Sequence, residues 1–308
     1  MSGSVSGNEK EKGSVVAENI LLPVDFSENS RTALMAVREI PGIRKITLLH
    51  VIYNRYPSRD PSVVNPAVRK ARAILEKMKA LVAVPDVSVT AVVREIAGGE
   101  IYETINQVAR EQDIPLIVMS RRGEGIIGTL LLGSVASDLV RYGENNLLLL
   151  PPPGTAGRDN GTNPATASRH AATAAGVFSR VMVCTDFSDP DIGMLCLRLL
   201  PGIGKASLFH AVTSGTSEEE IQGAILKATA RLAEMQAAFV RQGTRADCTV
   251  VVGSAAEEIL AFSEHEDISL ILLKSRGKKD FVTSLIGSTS APVARNARKP
   301  VLILKRPG

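Results

Sequence analysis

The sequence predicts an α/β protein composed of two doubly wound domains, each with a five-stranded parallel sheet, joined as a tandem duplication. The first observation is a length of 308 residues, which suffices for two ordinary domains. The second is that phrases of the first half return in the same order in the second half. The third is a regular alternation of short apolar runs with amphipathic segments, which is typical of parallel sheets covered by helices on both faces.

The composition excludes several classes of protein. Hydrophobic residues make up 44% of the chain and charged residues 22%, which is typical of globular proteins. A net charge of +4, 4% aromatic residues and no Trp give little support for nucleic-acid binding. The polar N-terminus lacks the apolar stretch of a signal peptide, no apolar run is long enough to span a membrane, and the three cysteines form no Cys-x-x-Cys pair. We therefore expect a cytoplasmic protein with reduced thiols and no nucleic-acid or membrane partner.

Internal repetition is the strongest organisational signal. Four sets of phrases recur in order: Ile20–Ser27 with Val181–Ser188, Leu48–Val51 with Leu208–Ala211, Asp113–Ile117 with Asp267–Ile271, and Arg122-Gly123 plus Gly133-Ser134 with Arg276-Gly277 plus Gly287-Ser288. The separation between equivalent residues falls from 161 at the first set to 154 at the last, so the second copy is shorter. The first copy holds an additional loop at Tyr53–Pro66, rich in Pro, Arg and Asn. A period this long indicates duplicated domains rather than a solenoid.

The domain boundaries follow from the repeat and from composition. We predict a first domain at residues 18–150 and a second at residues 178–306. Residues 1–17 are polar and predict a disordered tail. Residues 151–177 begin with three prolines and continue in Gly, Thr, Asn and Ala, which predicts a linker.

Each copy contains five apolar, β-branched runs of strand length, separated by segments with helical periodicity. In the first copy the predicted strands are 19–24, 45–51, 87–93, 115–119 and 147–150, and the predicted helices 28–40, 66–83, 100–112 and 134–143. In the second copy the strands are 180–184, 205–211, 247–252, 269–273 and 301–304, and the helices 190–200, 217–241, 255–265 and 288–298. Ser27 or Asn29 can cap the first helix, and Ser217 with Glu220 fits a capping box.

The loops after the first and fourth strands are the expected ligand site. Doubly wound sheets bind ligands at the carboxyl ends of their strands, where the strand order reverses. Asp25 and Asp186, each followed by Phe-Ser, come after the first strand of their copy. The repeated glycine pairs, each separated by nine residues, follow the fourth strand.

This combination of residues suits an anionic ligand. Glycines let backbone N–H groups approach a phosphate, and Ser134 or Ser288 adds a hydroxyl at a helix N-terminus, whose dipole favours negative charge. The Asp on the opposite loop can accept hydrogen bonds from ribose hydroxyls.

Here the sequence resembles the universal stress protein family. Nucleotide-binding members carry an Asp after the first strand, in a phrase much like Pro23–Ser27, and a Gly-x2-Gly-x9-Gly-(Ser/Thr) loop. The resemblance covers residues 19–150 and 180–304, and includes Leu49–Val51 and Lys299–Ile303. It implies a Rossmann-like, adenine nucleotide alpha hydrolase-like fold that binds ATP or AMP, with or without Mg and without a redox cofactor.

The resemblance also implies the residues of each site. In the family the Asp holds the ribose or adenine side, the residue after the His-containing strand lines the base pocket, and the glycine loop holds the phosphates. In the first copy the matching residues are Pro23, Val24, Asp25, Ile52, Met119, Ser120, Arg122, Gly123, Gly133, Ser134 and Val135. In the second copy they are Thr185, Asp186, Lys274, Arg276, Gly277, Gly287, Ser288 and Thr289.

The two loops depart from the family motif at its first glycine, which is Ser120 in one copy and Lys274 in the other. A serine adds little bulk. A lysine either obstructs a nucleotide or reaches its phosphate as a point charge. We therefore favour the first copy as the working site and leave the role of Lys274 open.

Several of these residues also have simpler structural interpretations. Each Asp can cap its own turn, and the basic run after Lys274 can be a solvated loop. His50 and His210 lie on apolar strands and are interpreted as core residues rather than catalysts. The cysteines Cys184, Cys196 and Cys248 are interpreted as core packing.

Other nucleotide and catalytic motifs are not supported. Gly123–Gly128 matches Gly-x-Gly-x-x-Gly, but it follows the fourth strand and the second copy does not repeat it, so NAD binding is not expected. We find no P-loop, no metal-spaced His/Cys cluster and no Gly-x-Ser-x-Gly elbow in the sequence.

The leading hypothesis is an adenine-nucleotide-binding regulatory protein of the stress response with an unidentified protein partner. A slow ATP hydrolase is the second hypothesis, although the sequence assigns no catalyst. A nucleotide-free interaction module with two decayed sites is the third. We expect the two domains to pair through their last strands, 147–150 against 301–304, as an intramolecular pseudo-dimer, with a homodimer of the whole chain as a further alternative.

Overall fold

The computed structural model of the chain describes residues 18–38, 40–55, 65–82, 85–123, 132–152, 176–200, 202–275 and 287–305. These residues form one twisted sheet with helices on both faces. The predicted tail at 1–17 and nearly all of the predicted linker, at 153–175, lie outside the described residues. The same is true of residues 56–64 in the additional loop of the first half.

Strands and helices alternate through the first half as the apolar periodicity predicts. The strands are β1 (Asn19–Pro23), β2 (Lys45–Tyr53), β3 (Ser88–Ile96), β4 (Leu116–Ser120) and β5 (Asn146–Leu150), and the helices α1 (Glu28–Val37), α2 (Pro66–Leu81), α3 (Ile101–Glu111) and α4 (Ser134–Tyr142).

The second half repeats this order. Its strands are β6 (Arg180–Cys184), β7 (Lys205–Val212), β8 (Arg245–Val252), β9 (Leu270–Lys274) and β10 (Val301–Leu304). Its helices are α5 (Ile192–Leu199), α6 (Glu218–Arg241), α7 (Ala255–His265) and α8 (Ser290–Asn296). The ends of the predicted elements differ from the observed ones by up to three residues, because caps and not the apolar period decide where a helix stops.

The described strands form a single sheet in the order β3-β2-β1-β4-β5-β10-β9-β6-β7-β8. All neighbours are parallel except β5 and β10, which run antiparallel with Val301 opposite Leu149 and Ile303 opposite Leu147. The predicted pairing of the last strands is therefore confirmed. The doubly wound α/β fold of each half is also confirmed, because the strand order reverses between β1 and β4 and again between β6 and β9.

Hydrophobic cores lie on both faces of the sheet and run through both halves. One core contains residues of α1, α2, α5 and α6, and the other contains residues of α3, α4, α7 and α8. Neighbouring strand residues alternate between the cores, so Leu48 lies on one face and Leu49 on the other. The sheet thus fixes which side chains at the strand ends share a face.

Two predicted helix caps are present, one of them in altered form. Ser27 accepts a hydrogen bond from the Ser30 amide at 3.2 Å and starts α1. Ser217 accepts from the Glu220 amide at 3.2 Å, but the Glu220 carboxylate accepts from the Thr216 amide and hydroxyl, both at 2.8 Å. These bonds hold the pKa of Glu220 below its ordinary value. The Glu220 carboxylate therefore accepts from Thr216, one residue before the Ser217 amide that a capping box would use.

Candidate functional site

The carboxyl ends of β1 and β4 meet where the strand order of the first half reverses, and a cavity of about 270 Å³ lies there. Ten of the sequence-predicted residues line it: Pro23, Val24, Asp25, Met119, Ser120, Arg122, Gly123, Gly133, Ser134 and Val135. The switch-point rule thus brings two loops that are almost a hundred residues apart to one cavity.

Ile52 is the exception, because it does not belong to the cavity formed by the described residues. The strand β2 continues to Tyr53, two residues beyond its predicted end. Side chains alternate along a strand, so Val51 faces the cavity and Ile52 faces the opposite side of the sheet. Val51 therefore lines the cavity, and a contact between Ile52 and a nucleotide stays a prediction.

Asp25 holds its own turn and also lies against the glycine loop. Its Oδ1 accepts hydrogen bonds from the Ser27 amide at 3.0 Å and the Ser27 hydroxyl at 2.6 Å. Its Oδ2 lies so close to the Cα of Gly123 that a Cβ there would overlap it. The turn-capping role and the cavity-facing role are therefore compatible in one side chain, since each uses a different oxygen.

The turn that carries the Asp has the same backbone shape in both halves. Phe26 and Phe187 adopt left-handed conformations, with φ of 66° and 59°. Such a conformation is rare for a bulky residue and persists only where its surroundings enforce it. In both halves, a histidine on the neighbouring strand packs against this Phe.

His50 and His210 make equivalent contacts. The Nδ1 of His50 donates to the Val24 carbonyl at 2.7 Å, and the imidazole stacks on Phe26 with ring centroids 4.0 Å apart. The Nδ1 of His210 donates to the Thr185 carbonyl at 2.8 Å, with Phe187 at 4.5 Å. A carbonyl only accepts, so Nδ1 carries the proton in both rings. The histidines are structural, as predicted, but they position the Asp turn and line the cavities, which sequence reasoning missed.

The glycine loop of the first half closes on itself through its backbone. The Gly133 amide donates to the Arg121 carbonyl at 2.8 Å. A Cβ on Gly133 would lie 3.3 Å from that carbonyl oxygen and 3.6 Å from the Gly123 nitrogen. The backbone φ of Gly133 is −63°, which any residue can adopt, so close approach and not conformational freedom requires this glycine.

Helix α4 starts directly after that glycine. Its first turn has no side-chain cap from Gly133, and Ser134 is exposed at the mouth of the cavity. The N-terminal N–H groups of a helix carry partial positive charge and favour an anion. The loop and the start of α4 therefore form the polar end of the first cavity.

Apolar side chains that the sequence analysis did not select form the opposite wall. They come from β2 and α3, and are Leu49, Val51, Ile101 and Ile105. Their signal in the sequence was the apolar period of a buried helix and strand, which does not distinguish a cavity wall from ordinary core.

A second cavity, of about 640 Å³, lies at the corresponding switch point between β6 and β9. The predicted residues Thr185, Asp186, Lys274, Gly287, Ser288 and Thr289 line it. Arg276 and Gly277 lie outside the described residues. Hydroxyl groups of Thr213, Ser214 and Ser254 add to the lining, so this cavity is more polar than the first.

Lys274 forms an ion pair with Asp189 inside the second cavity. Both side chains are largely buried, at 13% and 19% exposure. The sequence analysis considered obstruction or phosphate contact for Lys274 and did not anticipate this acidic neighbour. The pair joins the last residue of β9 to the loop after β6, so two charged side chains meet at the second switch point. The equivalent of Lys274 at the first switch point is Ser120.

The three cysteines are free thiols. Burial raises the pKa of each, and for Cys196 the pKa rises to about 12. Cys184 lines the second cavity and Cys196 packs in the core. At neutral pH they are protonated and act as packing groups.

Within the described part of the chain, no group of three or more His, Cys, Asp or Glu side chains is arranged to hold a metal ion. The same residues contain no helix long and apolar enough to cross a membrane.

The duplicated doubly wound fold, with an Asp turn and a glycine segment at each switch point, defines a class of tandem α/β proteins with paired cavities. The universal stress protein family model matches residues 17–151 and 203–305. The chain belongs to the universal stress protein family.

Individual relatives agree with this result. A universal stress protein structure from Archaeoglobus fulgidus DSM 4304 superimposes with a TM-score of 0.69 at 22% identity, covering 95% of this chain and 99% of that one. A functionally unknown protein from Pseudomonas aeruginosa PAO1 gives 0.58 at 14% identity, covering 94% and 93%. Both support the two-domain fold alone.

Curated relatives match over shorter segments. Universal stress protein MJ0577 of Methanocaldococcus jannaschii is 39% identical over 57 residues, which is 18% of this chain and 35% of the relative. Universal stress protein Slr1230 of Synechocystis is 29% identical over 115 residues, 36% of this chain and 38% of the relative. The chain thus spans about a third of the length of the curated relatives it matches.

Proposed function

We propose that the chain is an adenine-nucleotide-binding universal stress protein that acts as a regulatory module. The observation that carries the proposal is the repeated geometry: in each half an Asp turn faces a glycine or glycine-serine segment across a cavity at the switch point. One such arrangement has a structural explanation in turn capping. The same arrangement in two halves of unequal length favours one ligand chemistry for both cavities.

The first cavity has a suitable partner for each part of a nucleotide. The apolar wall of Val51 and Ile101 suits the face of an adenine, and removing apolar surface from water contributes about 25 cal/mol per Å². The Asp25 carboxylate suits a ribose hydroxyl, a charge-assisted bond of about 1.5–3 kcal/mol. The N–H groups at Gly133 and the start of α4 suit the phosphates.

A regulatory role follows from this chemistry. A ligand that binds both switch-point loops stabilises one of their arrangements over others, by as much as its differential affinity. A protein partner, as yet unidentified, can then recognise whether nucleotide is bound from the arrangement of these loops. ATP and AMP differ in the number of phosphates that reach the glycine loop, so that loop is where they would be distinguished.

Titration calorimetry on the full chain, freed of any bound nucleotide by unfolding and refolding, tests the proposal. ATP, ADP and AMP are titrated with and without Mg²⁺, with GTP as the control for base recognition. We expect micromolar or tighter binding of an adenine nucleotide and at least tenfold weaker binding of GTP, about 1.4 kcal/mol. No heat of binding with any adenine nucleotide would contradict the proposal in favour of a nucleotide-free module.

A parallel measurement of phosphate release separates a binding protein from a hydrolase. The proposal expects bound ATP to be recovered intact over hours. Turnover on a timescale of seconds would favour the hydrolase and require a catalytic group.

A further inference from the structure

Arg121 is a buried charge in the loop that follows β4. The residue is 2% exposed, and with Ser120 and Arg122 it belongs to the lining of the first cavity. Burial, with a smaller contribution from Arg122, lowers the pKa of Arg121 to about 10, while Glu264 opposes the shift. The guanidinium therefore stays charged at neutral pH, and its burial costs free energy that its contacts must offset.

Those contacts lie entirely on the second half of the chain. The Nη1 group donates to the Ala297 carbonyl, and the Nη2 group donates to the Lys299 carbonyl at 3.4 Å. Ala297 is the C-terminal cap of α8, where unpaired carbonyls and the helix dipole favour a cation. The Nε of Arg121 has no hydrogen-bond partner among the described residues.

The backbone of the same residue organises the first cavity. The Arg121 amide donates to the Leu150 carbonyl at 3.0 Å, and its carbonyl accepts from the Gly133 amide at 2.8 Å. The glycine loop, the last strand of the first half and the α8–β10 turn of the second half are thus joined through one residue.

The second half makes the same two backbone hydrogen bonds without an arginine. Its equivalent residue is Ser275, whose amide donates to the Leu304 carbonyl at 2.9 Å and whose carbonyl accepts from the Gly287 amide at 3.2 Å. The two backbones therefore match while the side chains differ. Arg121 contributes a link between the halves that has no counterpart at Ser275 among the described contacts.

We propose that Arg121 is a positioning residue which makes the second half of the chain a structural part of the first cavity. The guanidinium fastens the glycine loop to the α8–β10 turn, so the shape of the loop depends on that turn. The expected effect of Arg121 on ligand affinity rests on the proposed function. The mechanical link itself does not, and the two are tested separately.

Hydrogen exchange of the ligand-free full-length chain tests the link. Arg121→Ser copies the second half, and Arg121→Lys keeps a cation that can reach one carbonyl. Lys305→Met is the matched control, because Lys305 also donates across the halves, to the Val140 carbonyl at 2.6 Å, without contacting the glycine loop.

We expect the amides of residues 121 and 133 to exchange on the order of tenfold faster in Arg121→Ser, with an intermediate rate in Arg121→Lys and the wild-type rate in Lys305→Met. Wild-type exchange at both amides in Arg121→Ser overturns the link. Equal acceleration in Lys305→Met also overturns it, because the effect would then reflect general loosening of the two halves.

Nucleotide titration of the same variants, with the second cavity blocked by Gly287→Val, tests the consequence. We expect the affinity of the first site to fall about tenfold in Arg121→Ser and to recover in part in Arg121→Lys, within the usual range of coupling between distant parts of a protein. Wild-type affinity in Arg121→Ser overturns the positioning role. If wild-type protein binds no adenine nucleotide, the proposed function fails, and the exchange rates alone decide whether Arg121 holds the loop.

Discussion

The two cavities share a backbone and differ in their side chains. In both halves the Phe after the Asp has a left-handed backbone, and a histidine donates to the carbonyl of the residue before the Asp. In both, the amide of the second motif glycine donates to a carbonyl just after the fourth strand. The first cavity, at about 270 Å³, has an apolar wall and a serine at the first motif position. The second, at about 640 Å³, is rich in hydroxyl groups and contains the ion pair of Lys274 and Asp189.

This difference teaches that the two copies share the backbone scaffold of the site and differ in the side chains that surround each cavity. The Asp-Phe-Ser turn and the glycine spacing are set by close backbone packing, which tolerates little change. The side chains at three equivalent positions carry the divergence: Ser120 and Lys274, Arg121 and Ser275, Glu28 and Asp189. We therefore expect substitutions of the scaffold's glycine and aspartate to have larger effects than substitutions at the divergent positions.

The largest effect is expected for Gly133→Val. The new side chain would press on the Arg121 carbonyl and the Gly123 amide and open the loop, since a Cβ alone lies 3.3 Å from that oxygen. We expect the affinity of the first site to fall on the order of a hundredfold, about 3 kcal/mol, with a native circular dichroism spectrum. Gly98→Val is the matched control, because a Cβ there meets nothing within 4 Å. Unchanged calorimetric affinity in Gly133→Val would refute the loop assignment.

Asp25 variants separate its two roles. Asp25→Asn keeps an oxygen for the Ser27 amide and hydroxyl but removes the charge, so we expect about tenfold weaker nucleotide binding with little change in melting temperature. Asp25→Ala removes both, and should weaken binding similarly while lowering the free energy of unfolding by about 1 kcal/mol. Calorimetry and thermal unfolding report the two quantities. If Asp25→Asn binds as wild type does, Asp25 serves only its turn.

The ion pair of the second cavity gives a prediction of opposite sign. Asp189→Asn keeps the oxygen that accepts from the Asp191 amide at 3.0 Å and releases Lys274 from its carboxylate partner. We expect the second site to bind ATP several-fold more tightly, because the released ammonium is then available to a phosphate. Lys274→Gly leaves the carboxylate facing the anion and should weaken binding. Tighter binding in Lys274→Gly would show instead that the lysine obstructs the site.

The smallest effect is expected for His50→Phe. The substitution keeps an aromatic ring against Phe26 but removes the bond to the Val24 carbonyl, which contributes about 1 kcal/mol to stability. We expect a loss of that order in the free energy of unfolding, measured by urea denaturation, and a few-fold loss of affinity. His265→Phe serves as the control, because that side chain is 86% exposed. A stability equal to wild type would contradict the positioning role of His50.

Much of the fold was predictable because the determining patterns are local. Apolar β-branched runs gave all ten strands of the described residues, and Ser27 gave the start of α1. The site was predictable because a doubly wound sheet has a fixed switch point, so the residues after two strands must meet there. The pairing of β5 with β10 followed from two apolar edges that require cover.

The remaining features depend on contacts between distant segments and have no local signal. Val51 was missed as a lining residue because the apolar run of β2 does not show which face borders a cavity. The ion pair of Lys274 and Asp189 joins the end of β9 to the loop after β6, two segments far apart in the sequence. Arg121 was not among the predicted site residues, and only its direction in space shows that it enters the other half.

The nucleotide content of the purified chain tests the central claim most directly. Wild-type protein, Gly133→Val and Gly287→Val are heat-denatured, and the released nucleotides are quantified by ion-exchange chromatography. We expect about one adenine nucleotide per working site in the wild type, lost from the first site in Gly133→Val, together with a thermal shift on added ATP. Protein that releases no adenine nucleotide and shows no thermal shift with ATP would contradict the account.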